Sequence, residues 1–125
     1  MASVTGLDHV SVLVADAQHS LIFYQQTLGL KMADRPDLGF PGYWLDLGQG
    51  QTLHLMQLEN PYHAVTRPGH GGRDMHFALR VDDLETFADT LRQHDIDFTE
   101  SRSGRKALFF RDPDQNVIEL FEPQT

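Results

Sequence analysis

Asp74-Met75-His76-Phe77-Ala78-Leu79-Arg80-Val81 alternates at period two, which reads as a strand with two distinct faces. Phe77, Leu79 and Val81 take one face, and His76, Ala78 and Arg80 the other. Asp82 and Asp83 follow, and Leu84, Phe87, Ala88 and Leu91 share one face of the helix they would start. The pattern occurs a first time 67 residues earlier, in Leu7-Asp8-His9-Val10-Ser11-Val12-Leu13-Val14, with His9 in the place of His76. Asp16 matches Asp83, and Ala17, Leu21 and Tyr24 match Leu84, Ala88 and Leu91. A histidine at a strand start, an acidic cap and an amphipathic helix, repeated in order, indicate an internal duplication.

The 125 residues fit one compact domain or two small modules sharing a core. No apolar run approaches the roughly 20 residues of a membrane span. The start, Met-Ala-Ser-Val-Thr-Gly, lacks the basic and apolar segments of a secretion signal, so a cytoplasmic protein is expected. Cysteine is absent, which excludes disulfides, thiolate ligands and a cysteine nucleophile. The net charge of −8 is spread along the chain, and no Lys/Arg cluster accompanies the aromatic residues. Such a surface repels phosphate backbones and anionic lipids, so neither nucleic acid nor a membrane is expected as a partner.

In chain order, the first strand (about 7–14) leads to a helix capped by Asp16 and ended by Gly29. Leu30 to Arg35 reads as a short strand, 36–42 as a Pro/Gly loop, Tyr43 to Leu47 as a third strand and Gln51 to Leu58 as a fourth. Residues 59–73 have no period and form a linker, in which His63 and His70 read as solvated loop histidines. The second half repeats the order: a strand at 74–81, a helix at about 83–94, and strands near 97–101, 105–111 and 116–122, with a turn at Asp112–Asn116. The expected architecture is α+β, a single domain over 1–125 built from two paired βαβββ modules (about 5–58 and 74–123). Together they would form a cupped, half-open mixed β-sheet barrel.

His9 and His76 occupy equivalent first strands, and His54 and Glu119 equivalent last strands. If the modules pack with two-fold pseudosymmetry, three imidazoles and one carboxylate converge. These donors suit Fe(II), Ni, Co, Mn or Zn, and donor type alone does not choose among them. A carboxylate flanked by Ile118 and Leu120 must be exposed, paired or bound to something positive. By strand parity Trp44, Met56, Phe109 and Phe121 are candidate walls of the same pocket.

The chain resembles the vicinal oxygen chelate superfamily, which includes glyoxalase I, the fosfomycin-modifying thiol transferases, extradiol dioxygenases and bleomycin-resistance proteins. The resemblance rests on Leu7-Asp8-His9-Val10, Phe23-Tyr24 through Leu28-Gly29-Leu30, His76-Phe77-Ala78-Leu79, and Phe110-Arg111-Asp112-Pro113-Asp114 leading to Ile118-Glu119-Leu120. It implies a divalent metal inside the cup, with His9, His76 and Glu119 matching the ligands of the catalytic branches. His54 stands where glyoxalase I presents a glutamate, and Thr99 about where the thiol transferases present a lysine.

The implied activity is glyoxalase-like lyase or isomerase chemistry on a small molecule chelated through adjacent oxygens. Glu119 would be ligand and proton carrier, and His54 a fourth ligand or an acid/base. The alternatives are an extradiol-type Fe(II) dioxygenase, using His9, His76 and Glu119 as a two-His-one-carboxylate triad, and a thiol transferase or resistance-type binding protein. Small members with one pair of modules are commonly homodimers. Open sheet edges and an apolar cup point the same way. The expectation is a C2 homodimer in which His9 and His54 of one chain meet His76 and Glu119 of the other.

Overall fold

The computed structural model describes residues 1–124; Thr125, the last residue of the expected domain, lies outside them. The chain runs β1 (His9–Leu13), α1 (Ala17–Leu28), β2 (Met32–Ala33), β3 (Gly42–Gly48), β4 (Gln51–Met56), a 3-10 turn at Gly71–Arg73, β5 (His76–Arg80), α2 (Leu84–Gln93), β6 (Phe98–Glu100), β7 (Ala107–Arg111) and β8 (Val117–Phe121). Two four-stranded mixed sheets result, ordered β1-β4-β3-β2 and β5-β8-β7-β6. In each, the first strand lies parallel to the last and the other pairings are antiparallel. The sheets carry the expected α+β architecture and are not closed into a barrel.

The local reasons are those legible in the sequence. Asp16 accepts a hydrogen bond from the His19 amide at 3.1 Å, and Asp83 accepts one from the Thr86 amide at 3.2 Å. Gly29 ends α1 with φ 65°, a left-handed conformation in which a side chain would be strained. Ala17, Ser20, Leu21, Tyr24 and Thr27 form the buried stripe of α1, and Leu84, Ala88 and Leu91 that of α2. The strand expected over Leu30–Arg35 shrinks to Met32–Ala33, which pair with Leu45 and Trp44. Beyond it, the Arg35 guanidinium donates to the Phe40 carbonyl and closes the loop, and Pro36 has no amide to continue a ladder.

One core joins the two halves. Val12, Leu21, Tyr24, Leu45, Leu53 and Leu55 of the first pack in the same buried cluster as Leu84, Leu91, Leu108, Phe110, Ile118 and Leu120 of the second. The turn after β7 latches them. Tyr24 Oη donates to Asp112 at 2.7 Å, the Ala15 amide to Asp114 at 3.0 Å, and Asn116 Nδ2 to the Leu13 carbonyl at 3.0 Å. Burial raises the Asp112 carboxyl above its ordinary pKa, although donors from Asn116, Tyr24 and Asp114 oppose that rise. No helix among the described residues is long and apolar enough to cross a membrane.

Since Val12, Leu53 and Leu55 point into this core, His9, Ser11 and His54 belong to the opposite face of the first sheet. Ile118 and Leu120 place Glu119 likewise on the opposite face of the second sheet. Those two faces carry the candidate chemistry.

Candidate metal centre

The register sets equivalent side chains at equivalent places. In the first sheet Ser11 lies opposite His54, which lies opposite Trp44 on its other side. In the second sheet Ala78 lies opposite Glu119, which lies opposite Phe109. His9 and His76 precede Ser11 and Ala78 by two residues and share their faces. Each sheet therefore presents one pair of donors beside one aromatic ring.

In the second sheet, His76 Nδ1 lies 2.8 Å from the Asp74 carbonyl oxygen. A carbonyl only accepts, so Nδ1 carries a proton, and a lone pair is available at Nε2 whenever that nitrogen carries none. That nitrogen stands 3.2 Å from Glu119 Oε1, whose side chain is only 7% exposed. Two acceptors facing each other in a shielded place require a cation or a proton between them. Two ligands of one divalent ion lie about 3.0–3.4 Å apart when each is about 2.1 Å from it. The donor set and its spacing fit a metal. Phe109 meets His76 edge-on at 5.2 Å and closes one side.

The Asp74 side chain anchors this arrangement. Its Oδ2 accepts from Arg67 Nε at 2.6 Å and Arg111 Nη1 at 2.9 Å, and its Oδ1 from the Met75 amide at 2.8 Å. Burial alone would raise the Asp74 carboxyl, but the two guanidinium groups outweigh it and hold the pKa below its ordinary value.

In the first sheet, Asp8 Oδ2 accepts from His9 Nδ1 at 2.7 Å, leaving His9 Nε2 free as a donor. His54 lies between two parallel rings: His9 at 4.1 Å and 9°, and Trp44 at 4.1 Å and 3°. Burial and the neighbouring His9 lower the pKa of His54, so the ring is neutral near pH 7. Its Nε2 is engaged by Thr52 Oγ1 at 2.8 Å.

The four donors thus form two pairs, His9 with His54 and His76 with Glu119. Among the described residues of one chain, no three His, Asp or Glu side chains cluster closely enough to hold a metal. Convergence of all four is not met within one chain, because the paired faces turn away from the shared core. Trp44 and Phe109 flank the pairs as strand parity indicates. The linker histidines differ from each other. His63 bonds locally to the Asn60 carbonyl. His70 is docked instead, with Nδ1 2.7 Å from Thr99 Oγ1 and its ring edge-on to Phe109 at 5.1 Å. Asp8, Thr52, Asp74 and the arginines were missed as parts of the site. The position of Asp8 beside His9, and that of Thr52 two residues before His54 on one strand face, offered the only signals.

Comparison with known proteins shows the family and the fold. The family model for the Glyoxalase/Bleomycin resistance protein/Dioxygenase superfamily matches residues 6–120. "Glyoxylase I 4" of Arabidopsis thaliana is 32% identical over 94% of this chain and 70% of its own length. The fold is shared with TnmS3, an antibiotic binding protein from a Streptomyces species, with a TM-score of 0.75 at 23% identity over 99% of this chain and 100% of that one. It is also shared with a variant of the fosfomycin resistance protein FosX from Listeria monocytogenes, complexed with Mn(II) and 1S,2S-dihydroxypropylphosphonic acid. That TM-score is 0.76 at 15% identity, over 98% of this chain and 95% of that one. With a family match over nearly its whole length, the chain belongs to the glyoxalase/bleomycin resistance/dioxygenase superfamily, the vicinal oxygen chelate group.

Proposed function

We propose that the protein is a metal-dependent enzyme acting on a small molecule chelated through two adjacent oxygens, with glyoxalase-like lyase or isomerase chemistry. The observation that carries this reading is the contact between His76 Nε2 and Glu119 Oε1 at 3.2 Å, with the other nitrogen of His76 tied to Asp74. His9, His76 and Glu119 would hold the ion, and His54 would act as a fourth ligand or an acid/base. A divalent ion there supplies Lewis acidity to adjacent substrate oxygens. The chain supplies the proton transfer: Glu119 or His54 takes a proton from the carbon beside those oxygens and returns it. Trp44, Met56, Phe109 and Phe121 exclude water around that carbon.

The complete site is assembled from two copies in a C2 homodimer, His9 and His54 of one copy facing His76 and Glu119 of the next. Open sheets and two half-sites in one chain support this pairing. One observation favours a second reading. Thr52 engages His54 Nε2, which leaves His9, His76 and Glu119 as a two-His-one-carboxylate set suited to an Fe(II) dioxygenase.

Two measurements separate the readings. Proton exchange at a substrate carbon under nitrogen, supported by Ni(II), Co(II) or Zn(II), is expected of the lyase. Oxygen consumption that needs Fe(II) would replace that assignment with the dioxygenase. In either case His76→Ala and Glu119→Ala should each lower Mn(II) affinity at least about tenfold in calorimetric titration. Unchanged affinity in both folded variants would remove the metal site.

A further inference from the structure

The second sheet's chemical face carries two further arginines, Arg80 and Arg105. His76, Ala78 and Arg80 alternate onto that face of β5, and Arg80 lies opposite Phe121 of β8. Arg105 precedes β7 with the parity of Ala107, Phe109 and Arg111. Its guanidinium lies 4.0 Å from the centroid of the Phe121 ring. Phe121 thus has an arginine on either side, two residues along β8 from Glu119.

The other arginine of this face, Arg111, is consumed by Asp74 and by the carbonyls of Pro68 and Gln115. Arg80 and Arg105 donate no hydrogen bond among the described residues. Arg105 reaches Glu119 Oε2 only at 3.9 Å, beyond hydrogen-bond range, and its side chain stays 54% exposed. Glu119 Oε1 is already turned to His76. The aromatic ring fixes the plane of the Arg105 guanidinium while its fork of N–H groups stays open. A planar fork of this kind recognises two oxygens of a carboxylate, phosphate or phosphonate. Arg80, Arg105 and Phe121 line one open groove of about 1080 Å³, with Asp82 and Glu122 on its wall as well.

We infer that Arg105, supported by Arg80, is the specificity determinant for an oxyanion on the substrate, so that the preferred substrate is an anionic small molecule rather than a neutral one. The anionic group meets the guanidinium of Arg105 held against Phe121, while the adjacent oxygens reach the ion beside Glu119. This inference rests on the metal-site reading above.

The test uses two chelators with the same metal-binding head. Acetohydroxamate is neutral, and phosphonoacetohydroxamate adds a phosphonate. Both are titrated by calorimetry into the Mn(II)-loaded wild-type protein and into R105Q, R105K and R80Q, after Mn(II) affinity has been measured for each. The wild type should bind the phosphonate-bearing chelator at least about tenfold more tightly than its neutral partner. In R105Q that preference should fall to about threefold or less, with Mn(II) affinity equal or higher and acetohydroxamate affinity unchanged. R105K should retain part of the preference and R80Q should weaken it. A wild-type preference near one, or one preserved in R105Q, in protein that binds Mn(II), would overturn the oxyanion subsite and leave the metal site standing. Failure of the wild type to bind Mn(II) at all would overturn both.

Discussion

Trp44 and His54 lie ring on ring, 4.1 Å apart and 3° from parallel, and the far face of His54 covers His9 at 4.1 Å. The indole is the only tryptophan of the chain, so its emission reports on one donor pair. Adding Co(II) or Ni(II) should quench that emission saturably, whereas Zn(II) should shift it without strong quenching. His9→Ala should weaken the response at least about tenfold in metal concentration. A fluorescence titration measures this. Emission indifferent to Co(II) in folded protein would mean that no metal reaches His9.

Asp8 and His9 make a second testable pair. The Asp8 carboxylate is highly exposed and its one assigned role is to hold the His9 Nδ1 proton at 2.7 Å. Asp8→Ala should therefore lower metal affinity by about tenfold while leaving the melting temperature within a degree or two. His54→Ala should lower affinity less than His9→Ala, since Thr52 already occupies His54 Nε2. Calorimetry and thermal melts on the three variants check the order. A loss in His54→Ala as large as in His9→Ala would make His54 a full ligand.

Asp74 couples stability to pH. Its folded pKa is depressed, so its contribution is present above the unfolded carboxylate value of about 3.9 and lost as pH falls through the lower folded value. Urea unfolding of the wild type should weaken across that acid window, and Asp74→Asn should flatten the loss. At neutral pH Asp74→Ala should cost about 3 kcal/mol, because Arg67 and Arg111 lose their shared partner in a largely buried place. A cost under about 1 kcal/mol would reduce the triad to a surface ion pair.

The latch between the halves rests on Asp112, Asp114 and Asn116. Tyr24→Phe and Asn116→Ala should each destabilise by about 1–2 kcal/mol in urea titrations, by removing hydrogen bonds from partly or fully buried groups. Neutral variants would show that the apolar core alone joins the halves.

Much of this was legible in the sequence because it is local or periodic. The 67-residue recurrence of the His-strand, Asp cap and apolar helix gave the duplication, and parity put His9, His54, His76 and Glu119 on one face of each sheet. What was not legible depends on contacts between distant residues. The turn at Asp112–Asn116 reads as a local hairpin device, yet it bonds to Tyr24 and Leu13, 88 and 103 residues away. Arg111 and Arg67 carry no pattern that ties them to Asp74. Pseudosymmetry places equivalent donors on equivalent strands, but it does not say which faces meet. Within one chain the helices and core sides meet, and the donor faces are left apart.

A metal site shared between two copies can be rebuilt by mixing two half-site variants. One variant carries His9→Ala with His54→Ala, the other His76→Ala with Glu119→Ala; each alone should lack tight Mn(II) binding. Refolded together and pairing at random, they should recover about a quarter of the wild-type tight sites, one intact site in each mixed dimer. No recovery, from folded variants shown to have exchanged partners, would contradict a site built across two chains.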